Sequence, residues 1–200
     1  MTRVLASTAL LALAACATGK YPTPVAAPAE QCRLTQDDLI ANRSLSWSDF
    51  DQRQNTQTTW SALGAAGCHE AAATAYADYL AFGPPIPGER FQTTARFHLG
   101  RSLAYAGRTE EAARIIATAR RETEVGGLHW NDYVQGTVAF LRRDRATLMA
   151  RQTSLAAHSG FSDRVNAGVL AGLLHCWDRP YLEAAGSGCI AASGYRAPTE

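Results

Sequence analysis

Residues 99–113 read Leu-Gly-Arg-Ser-Leu-Ala-Tyr-Ala-Gly-Arg-Thr-Glu-Glu-Ala-Ala, and this stretch decides the fold. Apolar side chains lead into it at the spacing of one helix face, at Phe91, Ala95, Leu99, Leu103 and Ala106. Gly107 predicts the end of that helix, and Thr109 predicts the N-cap of the next one. Glu110 and Glu111 follow in its first turn, where the helix dipole favours acidic side chains. The stretch therefore predicts two helices joined by a tight turn.

The same pattern recurs on both sides of this hairpin. Turns are predicted at Gly67, Gly107 and Asp144, so that successive turns are 40 and 37 residues apart. Strand signals are missing from residue 31 onward. The predicted helices are 35–41, 46–50, 57–66, 70–80, 90–106, one that begins at Thr109, 130–141, 145–157, 162–177 and 180–185. We expect an all-α domain of stacked antiparallel helix hairpins, because a helix pair repeating at this period buries its apolar faces against its neighbours.

The hairpin around Gly107 resembles a tetratricopeptide repeat. That family has Leu-Gly in the first helix, Gly at the turn and small residues in the second helix, and the matching positions here are Leu99, Gly100, Gly107, Ala112 and Ala119. The resemblance covers residues 53–157, although Trp60 and Leu148 stand where the pattern has small residues. It implies a superhelix in which Gly100 and Ala112 let the two helices approach closely.

The resemblance also implies a binding surface, because the first helix of each repeat lines the concave face in that family. Carried over by position, the face presents Phe97, Arg101, Tyr105, Trp130, Tyr133 and Thr137. Aromatic and arginine side chains dominate the energetics of interfaces, which favours a protein or peptide partner. The alternative is that Phe97, Trp130 and Tyr133 are ordinary core residues between repeats.

The N-terminal segment has the layout of a bacterial export signal. Arg3 precedes an apolar run that ends in Leu13-Ala14-Ala15-Cys16. This run resembles a lipoprotein lipobox, which implies removal of residues 1–15 and acylation of Cys16, with the membrane as a partner through the lipid; the alternative is an ordinary signal peptide. Related lipoproteins with Asp at the next position stay in the inner membrane, so Ala17 implies an outer-membrane lipoprotein facing the periplasm.

Residues 16–30 are predicted to be a tether, because Pro22, Pro24 and Pro28 forbid a regular helix or central strand. Residues 31–200 then form the helical domain. An exported domain with four further cysteines predicts two disulfides. Three pairings are possible, and we expect the two that join sequence neighbours, Cys32–Cys68 and Cys176–Cys189.

Charge and motifs exclude several function classes. The chain has 19 basic and 18 acidic residues, and Arg3 is the only charged residue in 1–15, so the remainder is neutral. A neutral domain without a basic stripe argues against a nucleic-acid partner. No catalytic motif, metal-ligand spacing or cofactor fingerprint occurs, so we expect no enzyme, metal or cofactor. The leading hypothesis is a lipid-anchored adaptor for a protein or peptide in an envelope assembly; the alternative is an accessory domain that binds cell-wall glycan or a small ligand.

Overall fold

The computed structural model describes residues 30–52, 58–124 and 128–196, and these form helices joined by short connections. The helices are α1 (Gln36–Arg43), α2 (Trp60–Ala65), α3 (His69–Phe82), α4 (Gly88–Tyr105), α5 (Thr109–Ala117), α6 (Trp130–Leu141), α7 (Arg145–Ala156), α8 (Phe161–His175), α9 (Tyr181–Ala184) and α10 (Ser187–Ala192), with a π-helical turn at Ser48–Gln52. No β-strand occurs in these three ranges, so the predicted all-α class is confirmed.

Three hairpins close with the same turn. In α2–α3, α4–α5 and α6–α7 the backbone N–H of Cys68, Arg108 and Asp144 donates to the carbonyl five residues earlier, at 2.8, 2.9 and 2.8 Å. The residue before each donor has a positive φ, 79° at Gly67, 81° at Gly107 and 60° at Arg143. This is the Schellman arrangement, which ends a helix by placing one residue in the left-handed region. All three turns were predicted, and glycine, which adopts that conformation freely, occupies the left-handed position in two of them.

Close contact between the helices of the central hairpin depends on a glycine. A Cβ added at Gly100 on α4 would lie 2.3 Å from Cγ1 of Ile116 on α5, a distance that real side chains do not reach. Ala112, also on α5, is completely buried. Both residues therefore occupy tight positions, as the sequence predicts, and a larger side chain at either would force the helices apart.

Each helix from α3 to α8 packs on the next one along the chain. Four further contacts join helices that are not consecutive: α1 packs on α3, α6 and α10 each pack on α8, and the short α9 reaches back to α4. A main core runs through α3 to α10, and a second aromatic cluster lies at the N-terminal end around Phe50, Tyr76 and Tyr79. The return of α9 to α4 brings the C-terminal end of the chain against the first helix of the central hairpin.

The two predicted disulfides are both present. Cys32 is bonded to Cys68 and fastens the segment before α1 to the hairpin turn, whereas Cys176 is bonded to Cys189 and ties α10 to the end of α8. Each bond therefore joins a terminal part of the domain to its neighbour.

Several sequence expectations need correction. Thr109 is not an N-cap but the first residue of α5, because Arg108 occupies the cap position. The helix predicted to continue through Ala119 ends at Ala117, although Ala119 is fully buried. Helix α10, which begins at Ser187, is not among the predicted helices. Residues 1–29, which include the signal, Cys16 and nearly all of the tether, lie outside the described residues.

Candidate functional site

A buried aspartate and a histidine meet at the N-terminal end of the domain. Asp51 lies in the π-helical turn, its side chain has no exposed surface, and its Oδ1 is 2.7 Å from Nδ1 of His98 on α4. The same oxygen accepts a 2.6 Å hydrogen bond from the Tyr76 hydroxyl, and Gln52 donates to Oδ2. Trp60 Nε1 donates to the Asp51 carbonyl at 3.1 Å. The three groups on the carboxylate itself, from His98, Tyr76 and Gln52, compensate for the hydration that Asp51 loses on burial.

The environment sets the protonation of this pair. Burial acts to raise the pKa of Asp51, but the hydrogen bonds from His98, Tyr76 and Gln52 outweigh it and leave the pKa below its ordinary value. Burial also lowers the pKa of His98, more strongly than Asp51 raises it. At neutral pH Asp51 is therefore ionised and His98 neutral. Because the carboxylate accepts at Nδ1, that nitrogen carries the proton, and Nε2 has a free lone pair.

Arg101 lies one helical turn after His98, on the same face of α4. Its Cζ is 5.4 Å from the centre of the Trp60 ring, which also stacks on His98 at 4.7 Å. Burial acts to lower the pKa of Arg101, but Tyr105, Tyr133, Tyr181 and Asp51 raise it overall. The guanidinium is thus a permanent cation bounded largely by aromatic rings.

Arg101 lacks the partners that a buried guanidinium normally has. Its Nε is buried without a hydrogen-bond partner, and it forms no ion pair with an acidic side chain of the described residues. The Tyr133 hydroxyl is close enough to interact with the guanidinium. The Tyr181 hydroxyl nearby is also buried without a partner. Other described residues have buried atoms of this kind, among them Nε of Arg151 and of Arg164.

Helix α9 covers much of the predicted concave face. Tyr181, its first residue, is 4% exposed and packs on Tyr105 at 5.4 Å and on Phe140 at 5.9 Å between ring centres. Burial raises the pKa of Tyr181 well above its ordinary value and raises that of Tyr133 to about 12. Both phenols are therefore neutral, and the chain's own C-terminal region occupies space that the sequence assigns to a partner.

The predicted partner-binding set divides into two groups. Phe97, Trp130, Tyr133 and Thr137 are 1, 8, 5 and 0% exposed, so they are core residues and cannot line an open surface. For Phe97, Trp130 and Tyr133 this burial agrees with the alternative that they are core residues between helices, and Thr137 is buried as well. Arg101 and Tyr105 remain partly exposed. With His98, whose side chain is 16% exposed, they form the accessible part of what we call the Arg101 site: Asp51, Trp60, Tyr76, His98, Arg101, Tyr105, Tyr133 and Tyr181.

Sequence reasoning missed five members of this site: Asp51, Trp60, Tyr76, His98 and Tyr181. Asp51 and His98 are 47 residues apart, and no local motif joins them. One available signal was the spacing of His98 and Arg101, which places both on one helix face. The contribution of Tyr181 depends on the return of α9 to α4, which follows from tertiary packing.

A second Asp–His pair lies between α6 and α8. Asp163 accepts from the backbone N–H of His129 at 2.8 Å, and its other oxygen is 3.0 Å from His129 Nδ1. His129 in turn stacks on His158. Asp163 thereby holds the start of α6 against α8, a structural task. Across residues 30–52, 58–124 and 128–196, no three His, Cys, Asp or Glu side chains are grouped to hold a metal ion.

A cleft separate from the Arg101 site lies near the start of α4. It encloses about 590 Å³ between the π-helical turn and the start of α4, with Pro84 and Pro85 on one side. The rings of Trp47 and Phe91 lie 4.8 Å apart in its wall, and Gln52 adds a polar group. Its size is that of a small-ligand pocket.

In the part of the chain that the structure describes, no helix combines the length and apolarity needed to cross a bilayer. The chain matches no family model, and comparison with curated proteins and with solved structures finds no match either.

Proposed function

We propose that the protein is a lipid-anchored periplasmic adaptor with a helical-repeat, tetratricopeptide-like domain that binds a protein or peptide in a bacterial envelope assembly. The lipobox pattern ending at Cys16 supports attachment to a membrane. The bonded pairs Cys32–Cys68 and Cys176–Cys189 fit an oxidising compartment outside the cytoplasm. The three hairpins with a common turn geometry support the repeat architecture.

One observation carries the binding role. Arg101 is partly exposed, permanently charged, surrounded by aromatic rings and without an acidic partner among the described residues. An arginine with most of its surface buried is normally paired, because a buried charge without a partner is costly. Arginine and tyrosine are also the residue types that form interface hot spots. Arg101 and Tyr105 therefore form the centre of the proposed contact, in place of the larger face that the sequence predicts.

Capture from crosslinked envelopes tests this function. The wild-type protein should retain a defined partner, and Arg101→Ala should lose it while keeping a native circular-dichroism melt. Arg114→Ala is the matched control, because Arg114 is exposed on α5, away from the Arg101 site. Equal capture by the two variants would contradict the proposal, as would loss of the partner only in variants that unfold.

The Trp47–Phe91 cleft favours a second candidate, an accessory domain for cell-wall glycan or a small ligand. Phe91 is 39% exposed and, with Trp47, offers an apolar surface beside polar groups. Calorimetric titration with soluble cell-wall fragments would detect such binding, and Phe91→Ala should abolish it. Binding that survives this change would place the ligand elsewhere.

A further inference from the structure

Arg101 has no acidic partner among the described residues, and its Nε has no hydrogen-bond partner. A guanidinium presents its N–H donors in a planar fork, and a carboxylate satisfies two of them at once. Asp51 is close enough to act on the charge of Arg101 but is already engaged by Tyr76, His98 and Gln52. A carboxylate on a ligand would supply the acidic partner that Arg101 lacks among the described residues.

Arg101 needs a hydrogen-bond acceptor from the ligand, whereas His98 needs a donor. Its Nδ1 is committed to Asp51, so its Nε2 can only accept a hydrogen bond while the ring is neutral. His98 and Arg101 both lie against the Trp60 ring, which holds the acceptor and the donor fork side by side. A ligand that satisfies both groups has a carboxylate next to a hydrogen-bond donor.

We infer that the Arg101 site binds the free C-terminal end of a peptide chain. The terminal carboxylate pairs with Arg101, the N–H of the same terminal residue donates to Nε2 of His98, and Trp60 and Tyr105 contact the preceding chain. This inference rests on the proposed adaptor function and names the part of the partner that is recognised. A ligand with two carboxylates fits less well, because a neutral Nε2 offers a lone pair where a second anion needs a donor.

Nitrogen-15 NMR of the full domain tests this with four probes. These are an N-acetylated tripeptide with a free carboxyl end, the same tripeptide amidated, N-acetylglycine, and acetate. The free tripeptide should shift the Nε–H resonance of Arg101 and the ring resonances of His98 in a saturable manner. The amidated tripeptide should cause neither shift, and acetate should bind at least about tenfold more weakly, because it has no N–H.

Further results would overturn the inference. Equal shifts from the amidated and free tripeptides would show that the carboxylate is not recognised. If acetate bound as tightly as the free tripeptide, His98 would not take part in recognition. If N-acetylglycine bound as tightly, the ligand would be a small N-acyl amino acid and not a peptide end. If the free tripeptide caused no saturable shift up to about 10 mM, the Arg101 site would not bind the C-terminal end of a peptide.

Two variants separate binding from folding. Arg101→Lys keeps the charge but not the fork, so it should bind the free tripeptide roughly tenfold more weakly with an unchanged melt. Arg114→Lys should bind as wild type does. If partner capture depends on Arg101 but the free tripeptide does not bind, the adaptor function stands and only the C-terminal ligand is wrong. If the tripeptide binds but no partner is captured, the adaptor function fails.

Discussion

The Oδ1 atom of Asp51 lies 2.7 Å from Nδ1 of His98, across 47 residues of sequence. This contact joins the π-helical turn at the N-terminal end to helix α4. It also fixes the tautomer of His98 and leaves Nε2 available. One hydrogen bond therefore serves both the packing of the N-terminal segment and the chemistry of the Arg101 site.

Replacing Asp51 by alanine should strongly destabilise the domain. The change removes the acceptor of Tyr76 and of His98, two groups that have little access to water. Leaving a buried donor without its acceptor typically costs about 1–3 kcal/mol for each donor. Asp178→Ala is the control, because Asp178 is exposed between α8 and α9. Urea unfolding measures the free energy of unfolding of both variants. A similar loss of stability in the two would contradict the role of Asp51.

The stability of the protein should decline on mild acidification. Burial lowers the pKa of His98, so the unfolded chain takes up a proton at a higher pH than the folded one. This contribution is fully present above the ordinary histidine pKa of about 6.5 and is lost as the pH falls below it. His69, whose pKa burial also lowers, adds to the same slope. Melting temperatures at successive pH values should show a shallower decline in His98→Gln than in His175→Gln, whose exposed ring serves as the control. If melting temperature declined equally with pH in the two variants, His98 would not contribute to the pH dependence.

Gly100→Ala should destabilise the central hairpin by about 1–3 kcal/mol, the usual cost of overpacking. The added Cβ would lie 2.3 Å from Ile116 Cγ1, so α4 and α5 must separate. The control is Gly64→Ala on α2, where nothing lies within 4 Å of the new Cβ. There, better helix propensity should stabilise by about 0.5–1 kcal/mol. Opposite changes in free energy of unfolding are expected, and a neutral Gly100→Ala would contradict the close contact.

Removing the C-terminal disulfide should loosen α9 and α10 first. Cys176 and Cys189 are 13 residues apart, and closing a loop of this size is worth about 3 kcal/mol in the chain-entropy model. The double change to serine should increase amide hydrogen exchange in α9 and α10 more than in α4. Non-reducing peptide mapping of the wild type should recover Cys32–Cys68 and Cys176–Cys189 peptides. A Cys68–Cys176 peptide would contradict the structure.

Replacing Cys16 by alanine should abolish lipid attachment. The lipobox resemblance assigns acylation to this residue, and an acylated protein partitions into the detergent phase because its chains are apolar. The variant should remain unprocessed and lack label from radioactive palmitate. Cys32→Ala is the control and should still be labelled. Labelling of the Cys16 variant would show that the anchor lies elsewhere.

The sequence predicted the helices well because their signals are local. Trp130–Leu141 was predicted with its observed bounds, and the turns at Gly67 and Gly107 were marked by the residue best suited to a positive φ. The exposure of side chains was harder to predict from the sequence. Tyr133 was assigned to a surface but is 5% exposed, because the burial of a helix face depends on which elements pack over it. That α9 returns to α4 and covers this face is a tertiary contact without a local signal.

The most direct test of the account is site-specific photocrosslinking in living cells, with a benzophenone amino acid in place of one residue at a time. Position 105 is partly exposed beside Arg101, and Met149 on α7 is an exposed control position. We expect one discrete crosslinked partner from position 105, its disappearance when Arg101→Ala is added, and none from position 149. No crosslink at position 105, or the same product from both positions, would contradict the claim that the Arg101 site is where a partner binds.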